Sequence, residues 1–345
     1  MGCMSATPPP ASAPPPHVTL MQFISGPRVG LAIACLARLG VPDLVIEKPR
    51  SAEDLAKELD LNPQALYRLM RLTAAFGILA EMPDGVFAQT PMSALLTRTS
   101  PQSLRAWCLF SGHEVEARCW EHLDYSIRTG KPAVEHLYGK PAFELFGSTP
   151  ELGALFNDAM TALSSMDSPA VVDAYSFEGI GSICDVAGGH GLLLAQILAK
   201  RPAMTGALLE AESVLAGAAH GPLAPFAGRC SFVAGNMFEA VPAGFDAYIM
   251  KHIIHDWPDD ACLKILTACR AGVRPGGKLL IIENVIDDSP RSIVGKILDL
   301  EMLLFPGGME RTEEQFRGLL ARGGWTLTRV IPTEAPQSVI EAIPA

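Results

Sequence analysis

One stretch constrains this chain more than any other: Ile183-Cys184-Asp185-Val186-Ala187-Gly188-Gly189-His190-Gly191, followed by the apolar run Leu192 to Leu198. It reads as a short buried strand, a tight turn of small residues and a helix with an apolar face. Small side chains at 187, 188, 189 and 191 let a ligand approach the backbone, and glycine tolerates the positive φ such a turn needs. The amides opening the next helix then face whatever occupies the gap. A second apolar run, Gly206-Ala207-Leu208-Leu209, ends on Glu210, about twenty residues on. A nucleotide-binding α/β sheet places there the acid that holds ribose hydroxyls. A glycine turn by itself serves βα packing equally well; the acid on the following strand is what favours a ligand.

From residue 180 the pattern alternates between strand and helix. Strands are expected near 183–186, 206–209, 230–233, 246–250 and 278–282, and the runs at 325–331 and 338–342 read as a closing hairpin. That alternation predicts an α/β doubly wound sheet over 176–345. Residues 1–16, rich in proline and alanine, read as a disordered tail. Within 17–105, Ser51 caps one helix and Asn62 the next, with Pro63 at its first position. Pro83-Asp84-Gly85 then joins two short strands. Helix, helix, hairpin is the pattern of a winged helix. A DNA-binding version needs a basic recognition helix, and only Arg68 and Arg71 supply charge there, so packing and dimerisation are the better role. Residues 106–175 are helical, with Trp107, Trp120, Phe143, Phe146, Phe156 and Met160 spaced as core positions, some of them lining a pocket between domains.

The formal net charge of -10 disfavours nucleic acid and anionic membrane as partners. The eight cysteines are scattered without a CxxC pair, which suits reduced thiols better than disulfides or zinc. No stretch reads as long and clean enough to span a bilayer, and no basic-then-apolar signal pattern opens the chain. The expectation is a soluble, cytoplasmic protein.

The residues that carry chemistry follow the fourth strand. Lys251-His252-Ile253-Ile254-His255-Asp256-Trp257-Pro258 leaves the sheet at its carboxyl edge, where α/β enzymes bind ligands. His255 in that loop is a candidate general base, set against a purely structural loop histidine. Glu283 and Glu310, at later element ends, are acids able to orient an imidazole and stabilise its charged form. His252 and His255 are spaced for metal ligation, but no cysteine or third histidine accompanies them, so no metal is expected.

Together, Ala187-Gly188-Gly189-His190-Gly191, Gly235-Asn236-Met237-Phe238, Met250-Lys251, His255-Asp256-Trp257, Gly276-Gly277-Lys278 and Pro306 to Thr312 fall in a family order. From about residue 17 onward the chain resembles the S-adenosylmethionine-dependent small-molecule O-methyltransferases of the caffeic acid and hydroxyindole type, with their bacterial antibiotic-pathway relatives. The resemblance implies a Rossmann-like methyltransferase domain behind a winged-helix dimerisation domain, and a homodimer. It implies S-adenosylmethionine as cofactor, held by Asp185, Gly188, Glu210, Asn236, Met237 and Lys251. It implies His255 as the base flanked by Glu283 and Glu310, and a small hydroxylated acceptor bound by Met160, Asp256 and Met302. The chain departs from the family pattern at Ala187 for glycine, Glu210 for aspartate and Asn236 for aspartate.

In the reaction so implied, the acceptor oxygen attacks a sulfonium methyl directly, so the protein chiefly positions the reactants and removes a proton. Moving a proton from a phenol to an ordinary imidazole is uphill by roughly 5 kcal/mol. Concerted transfer, or carboxylates that raise the histidine pKa, would close that gap, and phenols or enols are favoured over alcohols. The rival readings are a relative with altered chemistry (decarboxylase, hydroxylase or cyclase), a winged-helix regulator on DNA, and a nicotinamide dehydrogenase. The last needs a GxGxxG spacing that Ala187 interrupts.

Overall fold

A computed structural model describes residues 14–218 and 220–345. The proline-rich tail lies almost wholly outside the described residues; its last member, Pro16, already opens a helix. The chain divides into two compact units at Ser100/Pro101.

The first unit comprises α1 (Pro16–Arg38), α2 (Val41–Leu44), β1 (Arg50–Ser51), α3 (Ala52–Leu59), α4 (Pro63–Ala75), β2 (Leu79–Met82), β3 (Val86–Gln89) and α5 (Pro91–Ala94). Ser51 accepts the Asp54 amide and Asn62 the Ala65 amide, so both expected caps form and each satisfies an orphan helix donor. The strands form a small antiparallel sheet in the order β1-β3-β2. Two helices followed by this hairpin fit the winged-helix pattern. One expectation is corrected here. Helix α1 runs unbroken through Pro27 and Arg28 and, at a mean hydropathy of 1.4, is long and apolar enough by composition to cross a membrane. Leu20, Met21, Phe23, Ile24 and Leu31 of α1 are exposed.

The second unit opens with six helices, α6 (Arg105–Ser111), α7 (Glu114–Glu121), α8 (Leu123–Thr129), α9 (Ala133–Tyr138), α10 (Ala142–Ser148) and α11 (Pro150–Ala174). The alternating part follows: β4 (Ser182–Val186), α12 (Leu192–Lys200), β5 (Thr205–Glu210), α13 (Glu212–Ala218), β6 (Cys230–Ala234), β7 (Phe245–Lys251), α14 (Asp259–Gly272) and β8 (Val273–Glu283). Helices α15 (Ile293–Leu304) and α16 (Glu313–Arg322) precede the closing hairpin β9 (Trp325–Pro332) and β10 (Ser338–Pro344). The seven strands are ordered β6-β5-β4-β7-β8-β10-β9, parallel from β6 to β8, with β10 antiparallel to both its neighbours.

This sheet fills the core. Its two faces carry separate apolar layers: Ile183, Leu194, Leu208 and Ile249 with α12 on one, Val186, Met250, Leu266 and Trp325 with α14 and α16 on the other. Burial on both faces explains why the strands read as continuous apolar runs rather than alternating ones. A third cluster joins Phe110, Val115, Cys119 and Phe146 of the opening helices to Leu304 and Phe305. The strand order reverses between β4 and β7, so the carboxyl ends of these strands flank a crevice that the sheet itself cannot fill. The seven cysteines among the described residues are free thiols.

Candidate functional site

Strand β4 delivers the glycine turn to that crevice. Ala187, Gly189 and Gly191 all take positive φ, at 56°, 60° and 76°. Glycine adopts this freely, whereas an L-residue such as Ala187 is strained there. Gly188 is glycine for a different reason: a Cβ there would stand 2.3 Å from Oδ2 of Asp185. The Asp185 carboxyl is tucked under the turn, buried, with neither oxygen hydrogen-bonded. Burial, reinforced by Glu210 and opposed by Lys251, pushes its pKa up to about 7. A buried carboxyl without donors is costly, and it suits a ligand that brings a cation or an N–H.

Glu210, at the end of β5, accepts the Gly189 amide (3.2 Å) on Oε1 and the Ala211 amide on Oε2. Its pKa is raised by burial, against the pull of those two amides. A cleft of ≈ 280 Å³ opens beside it, lined by Ala187, Leu209, Glu210, Ala211, Gly235, Asn236, Met237 and Phe238. Asn236 is partly committed already: Oδ1 accepts the Phe238 amide (3.1 Å) and Nδ2 donates to Glu239 (2.9 Å). One lone pair of its carbonyl remains for a ligand. Lys251 is tied to α11, donating to Ser164 Oγ (2.9 Å) and paired with Asp167 (3.1 Å).

The loop after β7 carries the histidines. His255 is buried, and its Nδ1 lies 2.8 Å from Glu310 Oε1 and 3.3 Å from Glu283 Oε2. Its Nε2 lies 3.5 Å from Asp256 Oδ1. Burial alone would discharge the imidazole, but Glu283, Asp256 and Glu310 outweigh it and push the pKa up to about 10. Asp256 moves the same way: burial, opposed by His255 and aided by Glu283, raises its carboxyl to about 7. The structure thus brings His255, Glu283, Glu310 and Asp256 into one cluster, the two glutamates at Nδ1 and the aspartate at Nε2.

Glu283 and two groups that the sequence reading passed over, Arg311 and Gly308, build this geometry. Glu283 Oε1 accepts the amides of Ile253 (3.1 Å) and His255 (3.2 Å), which fixes the loop to β8. Arg311, fully buried, donates to the carbonyls of Ile254 (2.9 Å) and Trp257 (3.1 Å) and to Asp259 Oδ1 (2.9 Å). Gly308 lets the returning chain touch the loop, since a Cβ would fall 1.9 Å from the His255 carbonyl oxygen. Arg311 and Gly308 were visible only as members of a motif, not as the clamp they form. Trp257 is stacked on Phe143 of α10 (5.3 Å) and set edge-on to Phe238 of the cleft (4.8 Å), so an aromatic wall joins helical cap and cleft. Met160 is half-buried on α11 against the helical cluster, and Met302 is buried on α15, its carbonyl accepting the Gly307 amide (2.8 Å).

The metal argument needs one correction. Counting only cysteine and histidine left His252 and His255 without a third donor, but Glu283 brings one, and the three ligand atoms lie within 4.8 Å of one another. Glu310, however, already holds His255 Nδ1.

Comparison with known proteins identifies the family. Residues 120–326 match the O-methyltransferase domain model and residues 21–99 the O-methyltransferase dimerisation domain model. The chain belongs to the O-methyltransferase family. Phenazine O-methyltransferase of Lysobacter antibioticus is 36% identical over 335 residues, covering 97% of this chain and 98% of that one. The crystal structure of LaPhzM superposes with a TM-score of 0.92 at 35% identity, over 96% of this chain and all of that one. The neocarzinostatin-biosynthesis O-methyltransferase NcsB1, solved with S-adenosylmethionine and 2-hydroxy-5-methyl naphthoic acid, gives a TM-score of 0.77 at 29% identity, over 92% and 96%. This chain is therefore a methyltransferase of the S-adenosylmethionine-dependent O-methylating family, whose bacterial members act on secondary metabolites. Helix α1 falls largely within the dimerisation match.

Proposed function

We propose that this enzyme methylates a phenolic or enolic hydroxyl of a small aromatic or polyketide-like metabolite, with His255 as the general base. One observation carries the reading: His255 holds Nδ1 against two buried carboxylates while its Nε2 faces away from them. In that arrangement Nδ1 keeps its proton and Nε2 is the nitrogen that accepts one.

The raised pKa supports a phenolic or enolic acceptor. A phenol titrates near ~10, so the uphill cost of roughly 5 kcal/mol for an ordinary imidazole falls close to zero for a group at about 10. An alcohol, nearer the ~16 of water, stays uphill by roughly 8 kcal/mol. Asp256, on the Nε2 side, is near half-protonated at neutral pH and can accept from or donate to the acceptor's hydroxyl. The wall of Trp257 and Phe143 suits a flat ring.

The residues lining the cleft fit S-adenosylmethionine. Glu210 offers lone pairs for ribose hydroxyls, Met237 and Phe238 an apolar face for adenine, and Asp185 its unpartnered oxygens for an ammonium group. When bound, this cofactor supplies a methyl made electrophilic by its sulfonium. Lys251 supports the site through Asp167 and Ser164, and Met160 and Met302 shape the acceptor side. The exposed apolar face of α1 supports a homodimer through the first unit.

The test is calorimetric titration with S-adenosylmethionine and S-adenosylhomocysteine, then methyl transfer to a phenol panel by wild type and His255→Ala. The variant should bind cofactor normally and lose about 10²–10⁴ in turnover. Equal turnover by His255→Ala, or no cofactor binding up to millimolar, would overturn the reading.

A further inference from the structure

Resting on that role for His255, we propose that His252 sets the working pH of the base by competing with it for Glu283. The two rings share a single oxygen of that carboxylate. Its Oε1 is fixed by the Ile253 and His255 amides, which leaves Oε2 between two imidazoles, 3.3 Å from His255 Nδ1 and 3.6 Å from His252 Nδ1. Glu283 Oε2 and His252 Nδ1 are both buried, and neither has a hydrogen-bond partner. The two rings lie 4.9 Å apart. Backbone geometry imposes this: His252 sits at φ 55°, which turns the chain as it leaves β7, while its amide still donates to Ile282.

The groups around His252 hold its Nδ1 in the competition. From the loop before β10, Gln337 Nε2 lies 3.1 Å from His252 Nε2, so neutral His252 keeps its proton on Nδ1, facing Glu283. From α11, Asp167 Oδ2 stands 3.9 Å from the same Nε2 and favours the charged ring. Lys251 on β7 and His255 oppose that charge, whereas Asp167 and Glu283 support it; burial opposes it most, yet the pKa is raised overall. Asp256, beyond His255, also feels His252. In either protonation state His252 presents an N–H to Glu283 Oε2. It thereby draws away part of the field that would hold His255 as an imidazolium. Without His252, Glu283 belongs to His255 alone, and the base stays protonated to higher pH.

The test uses the full-length enzyme and His252→Asn, because asparagine accepts positive φ and removes the ring. Two readouts are taken: the pH–rate profile with a phenol kept below its own pKa, and titration of the His255 ring by side-chain nitrogen NMR. The variant should lose about tenfold in rate at pH 7, equivalent to about one pH unit, and recover as pH rises. The His255 ring should titrate correspondingly later. His252→Gln, whose amide can still donate to Glu283, should fall between the two. A rate loss equal at every pH would mark His252 as merely structural and overturn the proposal. So would a His255 titration unchanged in His252→Asn. The NMR arm needs no turnover, so it decides the question even if no phenol is methylated.

Discussion

Replacing Arg311 with methionine tests whether the catalytic loop is held by a buried cation. Arg311 is 1% exposed, and its guanidinium reaches the carbonyls of Ile254 and Trp257, which bracket His255 and Asp256. Losing two charge-assisted hydrogen bonds to buried acceptors costs roughly 3–6 kcal/mol. Two features reduce that. Cys262 Sγ remains as a weak donor to both carbonyls, and the methionine recovers roughly 1–2 kcal/mol of apolar burial. The ion pair with Asp259 adds little, because that carboxylate is 42% exposed and keeps Arg322 at 2.8 Å. The net loss is about 2–4 kcal/mol, which for a unit of this size lowers Tm by roughly 5–15 °C. A loop displaced by about 1 Å should also cost on the order of 10² in kcat. Scanning calorimetry and methyl transfer read both, with Arg322→Met as the exposed control expected to change neither by much. An Arg311→Met enzyme melting within about 2 °C of wild type, with turnover within twofold, would refute the clamp.

Other outcomes follow from the same geometry. Gly188→Ala drives a Cβ into Asp185, 2.3 Å from Oδ2, so calorimetry should show cofactor affinity falling about tenfold or more; an unchanged Kd would mean that the turn and the carboxyl separate freely. Asp185 has a folded pKa of about 7, above the ~3.9 of an unfolded chain, so the folded state holds a proton that the unfolded state releases. Without cofactor, this group therefore favours folding most below about pH 4 and loses that contribution as pH rises toward 7, on the order of 4 kcal/mol. Urea unfolding at pH 5 and pH 8 should show a smaller difference in Asp185→Asn than in wild type, and an equal difference would contradict the burial argument. With a phenol that stays protonated, turnover should climb about tenfold per unit from pH 6 to 8, because only neutral His255 accepts a proton and its pKa is about 10. A plateau from pH 6.5 would show an ordinary imidazole at work.

The fold was largely legible because its signals are local. The expected strands at 183–186 and 206–209 each fall inside an observed strand, since a parallel strand buried on both faces must be apolar throughout, and 230–233 falls inside the partly exposed edge strand β6. The caps at Ser51 and Asn62 formed for an equally local reason, a side-chain oxygen three residues from a free amide. Helix α1 was not foreseen as one long apolar helix; it carries Pro27 with its ring on an exposed side.

The site was legible in its members but not in its chemistry. His255, Glu283 and Glu310 stand out at element ends, yet their separation in sequence says nothing of which imidazole nitrogen meets which oxygen. Carboxylate oxygens 2.8 and 3.3 Å from Nδ1 outweigh burial and raise the imidazole's pKa to about 10, which on the proposed reading matches a phenol. The metal argument missed one donor for the same reason, because Glu283 becomes a neighbour of both histidines only when β8 lies beside β7. His252 shows the limit most clearly. In sequence it is one more histidine in a loop; with φ at 55° its ring reaches the carboxylate that His255 depends on. What sequence pattern withholds is therefore competition between side chains for one buried charge. On the proposed reading, that competition sets how far above neutrality the base titrates.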